Sequence, residues 1–407
     1  MKTLLVGYKA SDLTKELLAG DVTCHTLDIY HRHAIEKVWH AKAICTPHLP
    51  EGPWDLIRFK TGPKLMSGEL SLDLLQEIHH LLTKGDATKG DATFLSREKN
   101  FSHRFLLDFV GRERDRNDLL NKIKDDPTRV RDFSSKWFAS VPGGPKLEFT
   151  SFPGCFCHRR LDEGGLALAE VVTKDLLEAA GDSFSRDKNV ASPLLASPLV
   201  AASEETRHSC RVSEEGLRLL DMGCGCGLVG YLIATRLSPS NSNSPSNSPS
   251  NSNSTSTSSL HLPISLTLVD SHSRAVEAAE LNAKAFGLEA EVILADNGTP
   301  ARMDSTFDVF VGNPPYYSDY RIADVFLETA ARALKPGGVC YTVCKNAAGL
   351  EPVQKRYFPQ VEIIKRRGYA VLKSTRERVR FSLVTSDWSL GGFPLGENRT
   401  QGLGVRQ

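Results

Sequence analysis

One run constrains the fold more than any other: Leu219-Leu220-Asp221-Met222-Gly223-Cys224-Gly225-Cys226-Gly227-Leu228-Val229-Gly230. Apolar residues lead into an acid, glycines then alternate, and a second apolar run follows at helical spacing (Leu228, Val229, Tyr231, Leu232, Ile233). That is strand, tight turn, helix. Alternating glycines let the backbone pass close to a ligand, and a helix start offers unpaired N–H donors. Gly225, Gly227 and Gly230 alone spell G-x-G-x-x-G, the mark of a dinucleotide fold. The glycines by themselves do not choose the ligand.

The downstream chain supplies more. A second strand, Ile264–Val269, ends at Asp270. With the insert at 238–259 set aside, Asp270 lies about 27 positions after Asp221, near the roughly 20 expected of an acid that binds ribose hydroxyls. A helix N-cap is the plainer reading of the same residue. The Ala-rich helix Arg274–Phe286 is closed by Gly287, and a third strand, Val292–Ala295, ends at Asp296-Asn297. Those two polar groups are candidates for an adenine amine, or a simple turn. A fourth strand, Phe307–Gly312, runs into Asn313-Pro314-Pro315-Tyr316. This tetrapeptide resembles the N-P-P-[FY] motif of methyltransferases that act on planar nitrogens. The chemistry suits it. An exocyclic amine is a poor nucleophile because its lone pair is delocalised into the ring. The Asn313 side-chain oxygen and the Pro314 carbonyl can accept its N–H bonds and aim the lone pair. The prolines stiffen the loop, Tyr316 offers a stacking face, and the target base must leave any helix to enter. In-line transfer then depends mostly on positioning.

Helix Leu327–Leu334, a turn at Lys335-Pro336-Gly337-Gly338, a fifth strand at Val339–Cys344 and a closing hairpin (Val361–Ile364, Tyr369–Leu372) complete this half. Between 365 and 380 stand seven basic residues against one acid, Glu377. Lys365, Arg366 and Arg367 head that group, a phosphate-binding candidate or a solvated face.

The first 145 residues alternate strands (Thr3–Val6, Val22–Leu27, Trp54–Phe59, Phe105–Val110) with helices (Leu13–Leu18, Leu70–Leu82, Asn117–Lys124), which implies a mostly parallel sheet. The first turn, Gly7-Tyr8-Lys9-Ala10, has no glycine cluster, and Trp54–Phe59 runs into Lys60-Thr61-Gly62-Pro63 rather than N-P-P. This half has the architecture of a cofactor domain without its binding loops. A breaker cluster, Ser140-Val141-Pro142-Gly143-Gly144-Pro145, marks a boundary at 145. The second domain is expected over 146–385, with a tail at 386–407. Two stretches read as insertions: the copy of Lys84–Thr88 at Lys89–Thr93, and a block of Ser, Asn, Pro and Thr at 238–259 that cannot bury apolar area and is expected to be disordered. Residues 181–215 are polar and irregular.

With 407 residues and a net charge of +1, no global field recruits nucleic acid, so RNA contacts must be local. Nine cysteines read as reduced core thiols, and Cys155-x-Cys157 and Cys224-x-Cys226 lack zinc spacing, so no metal is expected. His158 beside the first pair reads as a positioned loop. No apolar run approaches ~18 residues and the start is too short for a signal core. The expectation is a cytoplasmic protein.

Phe152-Pro153-Gly154…Leu161-Asp162-x-Gly164, then Asp221-x-Gly223-x-Gly225-x-Gly227, then Asn313-Pro314-Pro315-Tyr316, together resemble the methyltransferase small family, most closely its RsmC-like small-subunit ribosomal RNA guanine-N2 group. The resemblance covers about 150–376 and, more weakly, 1–145. It implies two tandem class I (Rossmann-like) methyltransferase domains of α/β class, the first degenerate and serving as scaffold or RNA docking, the second active. It implies S-adenosylmethionine (SAM) as cofactor, held by Asp221, Gly223, Gly225, Gly227, Asp270, Asp296 and Asn297. Asn313, Pro314, Pro315 and Tyr316 would carry catalysis, and Phe156, Asp162, Lys365, Arg366 and Arg367 would meet the substrate. The partner would be ribosomal RNA or a ribosomal subunit, without membrane or metal, and the chain a monomer. Relatives that modify large-subunit guanine, adenine or glutamine share the tetrapeptide, and a non-catalytic RNA-binding protein could retain the fold.

Overall fold

The computed structural model describes residues 1–83, 104–124, 131–187, 216–238, 263–315 and 320–377. Two mostly parallel sheets organise them. The first contains β1 (Lys2–Val6), β2 (Asp21–Thr26), β3 (Ala43–Cys45), β4 (Leu56–Thr61) and β5 (Phe105–Phe109), in the order β3-β2-β1-β4-β5, with α1 (Ile29–Trp39), α2 (Gly68–Thr83) and α3 (Glu113–Lys124) between or after the strands. An antiparallel hairpin, β6 (Ser135–Ala139) and β7 (Leu147–Ser151), and the long helix α4 (Glu163–Asp187) follow. The second sheet contains β8 (Leu217–Met222), β9 (Ile264–Asp270), β10 (Ala290–Leu294), β11 (Phe307–Gly312), β12 (Leu334–Cys344), β13 (Glu362–Arg366) and β14 (Tyr369–Thr375), in the order β10-β9-β8-β11-β12-β14-β13. Its helices are α5 (Leu228–Leu237), α6 (Ser273–Phe286), α7 (Arg321–Ala333) and α8 (Ala347–Lys355).

Local sequence explains these elements. All six residues of β11 are buried, as expected of a central parallel strand covered on both faces. α7 turns Ala323, Phe326, Leu327, Ala330 and Ala333 inward at i, i+3, i+4 spacing. α6 ends at Gly287, whose left-handed φ of 64° closes the helix. α1 begins at Asp28, whose carboxylate accepts from the Tyr30 N–H.

The second sheet sets up a site through its order. From β8 the chain winds first toward β9 and later back to β11, so a switch point lies between β8 and β11. β11 pairs parallel with β8, Val311 opposite Asp221 and Gly312 opposite Met222. The glycine run and the Asn313 loop therefore leave neighbouring strands at the same edge. α5 ends at Leu237 and β9 begins at Ile264, both at the other edge.

Several expectations are corrected. The helix expected at Leu13–Leu18 is instead a 3-10 turn at Ala10–Asp12 followed by non-helical turns; one short apolar cluster does not overcome helix nucleation. The turn at Lys335–Gly338 is absorbed into β12, where a register shift against β11 accommodates it. α4 runs to Asp187 through residues read as irregular. α1 and α8 were not anticipated. Position 145 falls in the turn of the β6–β7 hairpin, so the breaker cluster is also a hairpin connection. The copies at Lys84–Thr93, the 238–259 block beyond Ser238 and the 386–407 tail lie outside the described residues. Among the described residues, no helix is long and apolar enough to cross a membrane.

Buried charge joins the two sheets' layers. Arg274 of α6 is 2 % exposed. Its guanidinium bonds Asp73 and, at 3.0 Å, Glu77, both of α2, and the Pro47 carbonyl at 3.0 Å. His48 bridges Glu77 and Glu277, each at 3.0 Å. Nearby, the Ile29 N–H donates to the Ser271 carbonyl and the Ser273 N–H to the Leu27 carbonyl. The start of α1 thus docks on the loop that follows Asp270.

Candidate active site

A cleft opens at the switch point, lined by Trp137, Phe156, Cys157, Asp162, Asp221, the glycine run over Gly223, Cys224, Gly225 and Cys226, Leu228 and Val229 of α5, and Asn313.

The glycine run forms the floor. The Gly223 and Cys224 N–H groups donate to the Val269 carbonyl, and the Gly225 N–H donates to Asp270 Oδ2 at 2.9 Å. Gly227 caps α5 with φ at 86°, and a Cβ there would lie 2.1 Å from the Tyr231 ring, so only glycine fits. A Cβ at Gly225 would meet nothing within 4 Å; that position borders open space, where a ligand can approach backbone. Asp221 is 1 % exposed, and its Oδ2 accepts from the Gly230 N–H at 2.9 Å. It ties the strand end to the first turn of α5. Burial pushes its carboxyl up to about 7, against the Gly230 hydrogen bond and with the Asp270 and Asp162 charges adding to the rise. Burial also raises Asp270, whose other oxygen accepts from the His272 N–H at 2.9 Å.

The opposite wall comes from the segment before α4. Asp162 caps that helix, its Oδ1 accepting from the Gly164 N–H at 3.0 Å, while its Oδ2 accepts from Asn313 Nδ2 at 2.8 Å. Burial raises its carboxyl, against hydrogen bonds from Gly165, Asn313 and Gly164. A carboxylate can only accept, so it fixes which end of the Asn313 amide faces it: nitrogen toward Asp162, oxygen away. Pro314 is buried and Pro315 half-buried. Tyr316 lies outside the described residues. Phe156 is 66 % exposed at the cleft, a large ring with little protein over it.

Residues 254–373 match the family of the methyltransferase small domain. The match includes Asp270 and Asn313 and begins beyond the glycine run. The Pseudomonas aeruginosa (strain UCBPP-PA14) ribosomal RNA small subunit methyltransferase C is 28 % identical over 218 residues, covering 52 % of this chain and 46 % of that one. Its Hahella chejuensis counterpart is 31 % identical over 127 residues, 30 % of each chain. The chain thus spans about half the length of the first of these relatives, and less of the second. A solved T. thermophilus 16S rRNA N2 methyltransferase (RsmC), in complex with AdoMet and guanosine, aligns over 93 % of this chain and 88 % of its own, with a TM-score of 0.60 and 16 % identity. At that identity the likeness shows the fold alone: two tandem Rossmann-like domains.

The structure gathers Asp221, Gly223, Gly225, Asp162, Phe156 and Asn313 around one cleft, with Asp270 bonded to its floor and Gly227 placed beneath it as the cap of α5. It places others elsewhere. Asp296 does not line the cleft; its carboxylate meets His33 of α1 at 3.0 Å, because α1 docks beside this strand end. Asn297 is exposed. Arg366 and Arg367 both pair with Glu170, Arg367 at 2.8 Å, and Arg367 also with Glu163. Glu170 is 6 % exposed, and a buried carboxylate needs cationic partners; these arginines supply them while staying partly exposed. Lys365 is exposed. Cys155 is buried and its thiol is pushed up to about 12 by burial, so it is no nucleophile. Among the described residues, no group of three or more His, Cys, Asp or Glu side chains could hold a metal ion.

Sequence reasoning missed Trp137, Cys157 and Asn282. Asn282 of α6 clamps the hairpin to the glycine run: its Oδ1 accepts from the Thr150 N–H at 2.8 Å, and its Nδ2 donates to the Thr150 and Cys226 carbonyls, both at 2.9 Å. The signal for the hairpin was present, two short alternating segments flanking Pro142-Gly143-Gly144-Pro145. No local pattern marks Asn282.

Proposed function

We propose that this chain is a SAM-dependent methyltransferase that methylates the exocyclic N2 of a guanine in small-subunit ribosomal RNA. The observation that carries this reading is the Asp162–Asn313 hydrogen bond at 2.8 Å, in a cleft shared with the glycine run. The cleft suits the cofactor: it has an open backbone face at Gly225 and the Asp162 carboxylate for a cation. SAM, when bound, supplies an electrophilic methyl group on a cationic sulfonium. Asp270 would take the ribose hydroxyls and the glycine run the methionine end.

The chain's own residues then do the positioning. With its nitrogen turned to Asp162, Asn313 presents Oδ1 as an acceptor for an amine N–H. The Pro314 carbonyl can accept the second. Two accepted hydrogen bonds draw the amine toward a pyramidal shape and restore lone-pair density to nitrogen. Phe156 offers a face for a flipped base. No strong base is needed, since the alkylated nitrogen loses its proton readily. The first sheet would serve as scaffold and RNA docking, in the cytoplasm where ribosomal subunits are found. The similarity to the small subunit methyltransferase C proteins favours guanine N2 over other planar nitrogens.

The test has two parts. Titration with SAM should show saturable binding. RNA from a strain lacking the protein should lose one N2-methylguanosine in small-subunit ribosomal RNA, restored by the wild type and not by Asn313→Ala. Loss of a methyl group on another base or on a glutamine would move the activity to that target, and an unchanged methylation map would remove it.

A further inference from the structure

Trp137 lines the same cleft as Asp162, Asn313 and the glycine run. Its indole Nε1 is buried and has no hydrogen-bond partner among the described residues. A buried donor without an acceptor is costly, and native interiors hold few of them. The ring is not loosely placed. It stacks on Phe149 with centroids 5.0 Å apart and planes 16° apart. Asn282 fastens the other strand of the hairpin to the glycine run through Thr150 and Cys226. The ring that carries this donor is thus held firmly in a wall of the site.

The chemistry of the cleft narrows the acceptor. The acidic side chains in its lining are Asp162 and Asp221, of which Asp221 is sealed off at 1 % exposure. Asp162 suits the sulfonium and ammonium groups of a methionine-type ligand and repels its carboxylate. That carboxylate needs N–H donors. Leu228 and Val229 open α5 on the cleft wall, where a helix start favours an anion, whereas the Gly230 N–H is already bonded to Asp221.

We propose that Trp137 binds the carboxylate of the methionine end of SAM through its indole N–H, together with the amino end of α5. The proposal rests on the cofactor reading above and adds a residue from the hairpin that precedes the methyltransferase small domain. It also gives the hairpin a role that backbone scaffolding alone does not explain.

Trp137→Phe keeps an aromatic ring against Phe149 and removes the N–H. Calorimetric titration of wild type and variant with SAM, S-adenosylhomocysteine and decarboxylated SAM tests the contact. The expected result is binding of SAM and S-adenosylhomocysteine weakened roughly tenfold or more, with decarboxylated SAM bound equally by both proteins and the melting temperature of the free protein preserved. Should the phenylalanine variant fail to fold, benzothienylalanine at 137 keeps the ring shape and removes only the N–H. Unchanged SAM affinity in either variant, or an equal loss for decarboxylated SAM, overturns the assignment while leaving the cofactor reading standing. A wild-type protein that binds none of the three ligands removes both.

Discussion

The two sheets share one strand order over five positions: β3-β2-β1-β4-β5 in the first, β10-β9-β8-β11-β12 in the second. In each, a glycine with positive φ follows the central strand, Gly7 after β1 and Gly223 after β8. The edges beyond those glycines differ. In the first sheet a Cβ on Gly7 would lie 2.4 Å from the Lys60 carbonyl oxygen, so the turn sits directly on the end of β4. Tyr8 is 3 % exposed and its hydroxyl donates to Asp108, while Lys60 pairs with Asp12 at 2.6 Å. The switch point is filled by the chain's own side chains. In the second sheet the corresponding space is a cleft walled by Asp162, Asn313 and a glycine run with one open face. Topology supplies a crevice in both; side chains decide whether it is closed or left for a ligand.

This comparison can be broken or sharpened experimentally. The largest effect is expected at the seam. Arg274→Ala leaves Asp73 and Glu77 without their buried cation and should cost about 3–5 kcal/mol of stability, read by denaturant unfolding; a loss below about 1 kcal/mol would mean the sheets' layers do not depend on this charge.

Next is pH. Asp221 has a folded pKa of about 7, above the unfolded value near ~4. Between those values the folded state holds a proton that the unfolded state releases, so stability should fall as pH rises across that window, by roughly 4 kcal/mol at most. Asp221→Asn keeps an acceptor for the Gly230 N–H and should flatten the slope. An identical pH profile in the variant would assign the slope to other groups.

Third, Asn313→Ala should lower kcat by about a hundredfold with SAM affinity and melting temperature preserved. In the first sheet, Tyr8→Phe should leave kcat unchanged. Equal losses in both would deny that only the second crevice is functional. Fourth, Asp270→Ala should weaken SAM binding about tenfold and leave the rate at saturation nearly intact, since one or two hydroxyl hydrogen bonds to a charged group are lost; a normal dissociation constant would exclude the ribose contact. The smallest effect is expected from deleting 238–259, because Leu237 and Ile264 flank that block at the edge away from the cleft. A folded but inactive deletion variant would contradict that placement.

What was legible in the sequence was local and periodic. β11 and β14 read as strands because their apolar runs are continuous, and α6 as a helix because Gly287 closes it. The glycine run and Asn313-Pro314-Pro315 marked two strand ends with unusual chemistry. These features follow from backbone sterics and short-range burial, which neighbouring residues determine by themselves. The sequence could not show that Arg366 and Arg367 would be drawn to Glu170, nearly two hundred positions earlier. Nor could it show that Asp296 would face His33, that Asp162 would orient Asn313, or that Trp137 would enter the cleft from the hairpin whose turn holds the breaker cluster. Each depends on which charges and donors the folded chain buries side by side. Burial is what raises the cost of an unpaired group, and only the tertiary structure selects the partner.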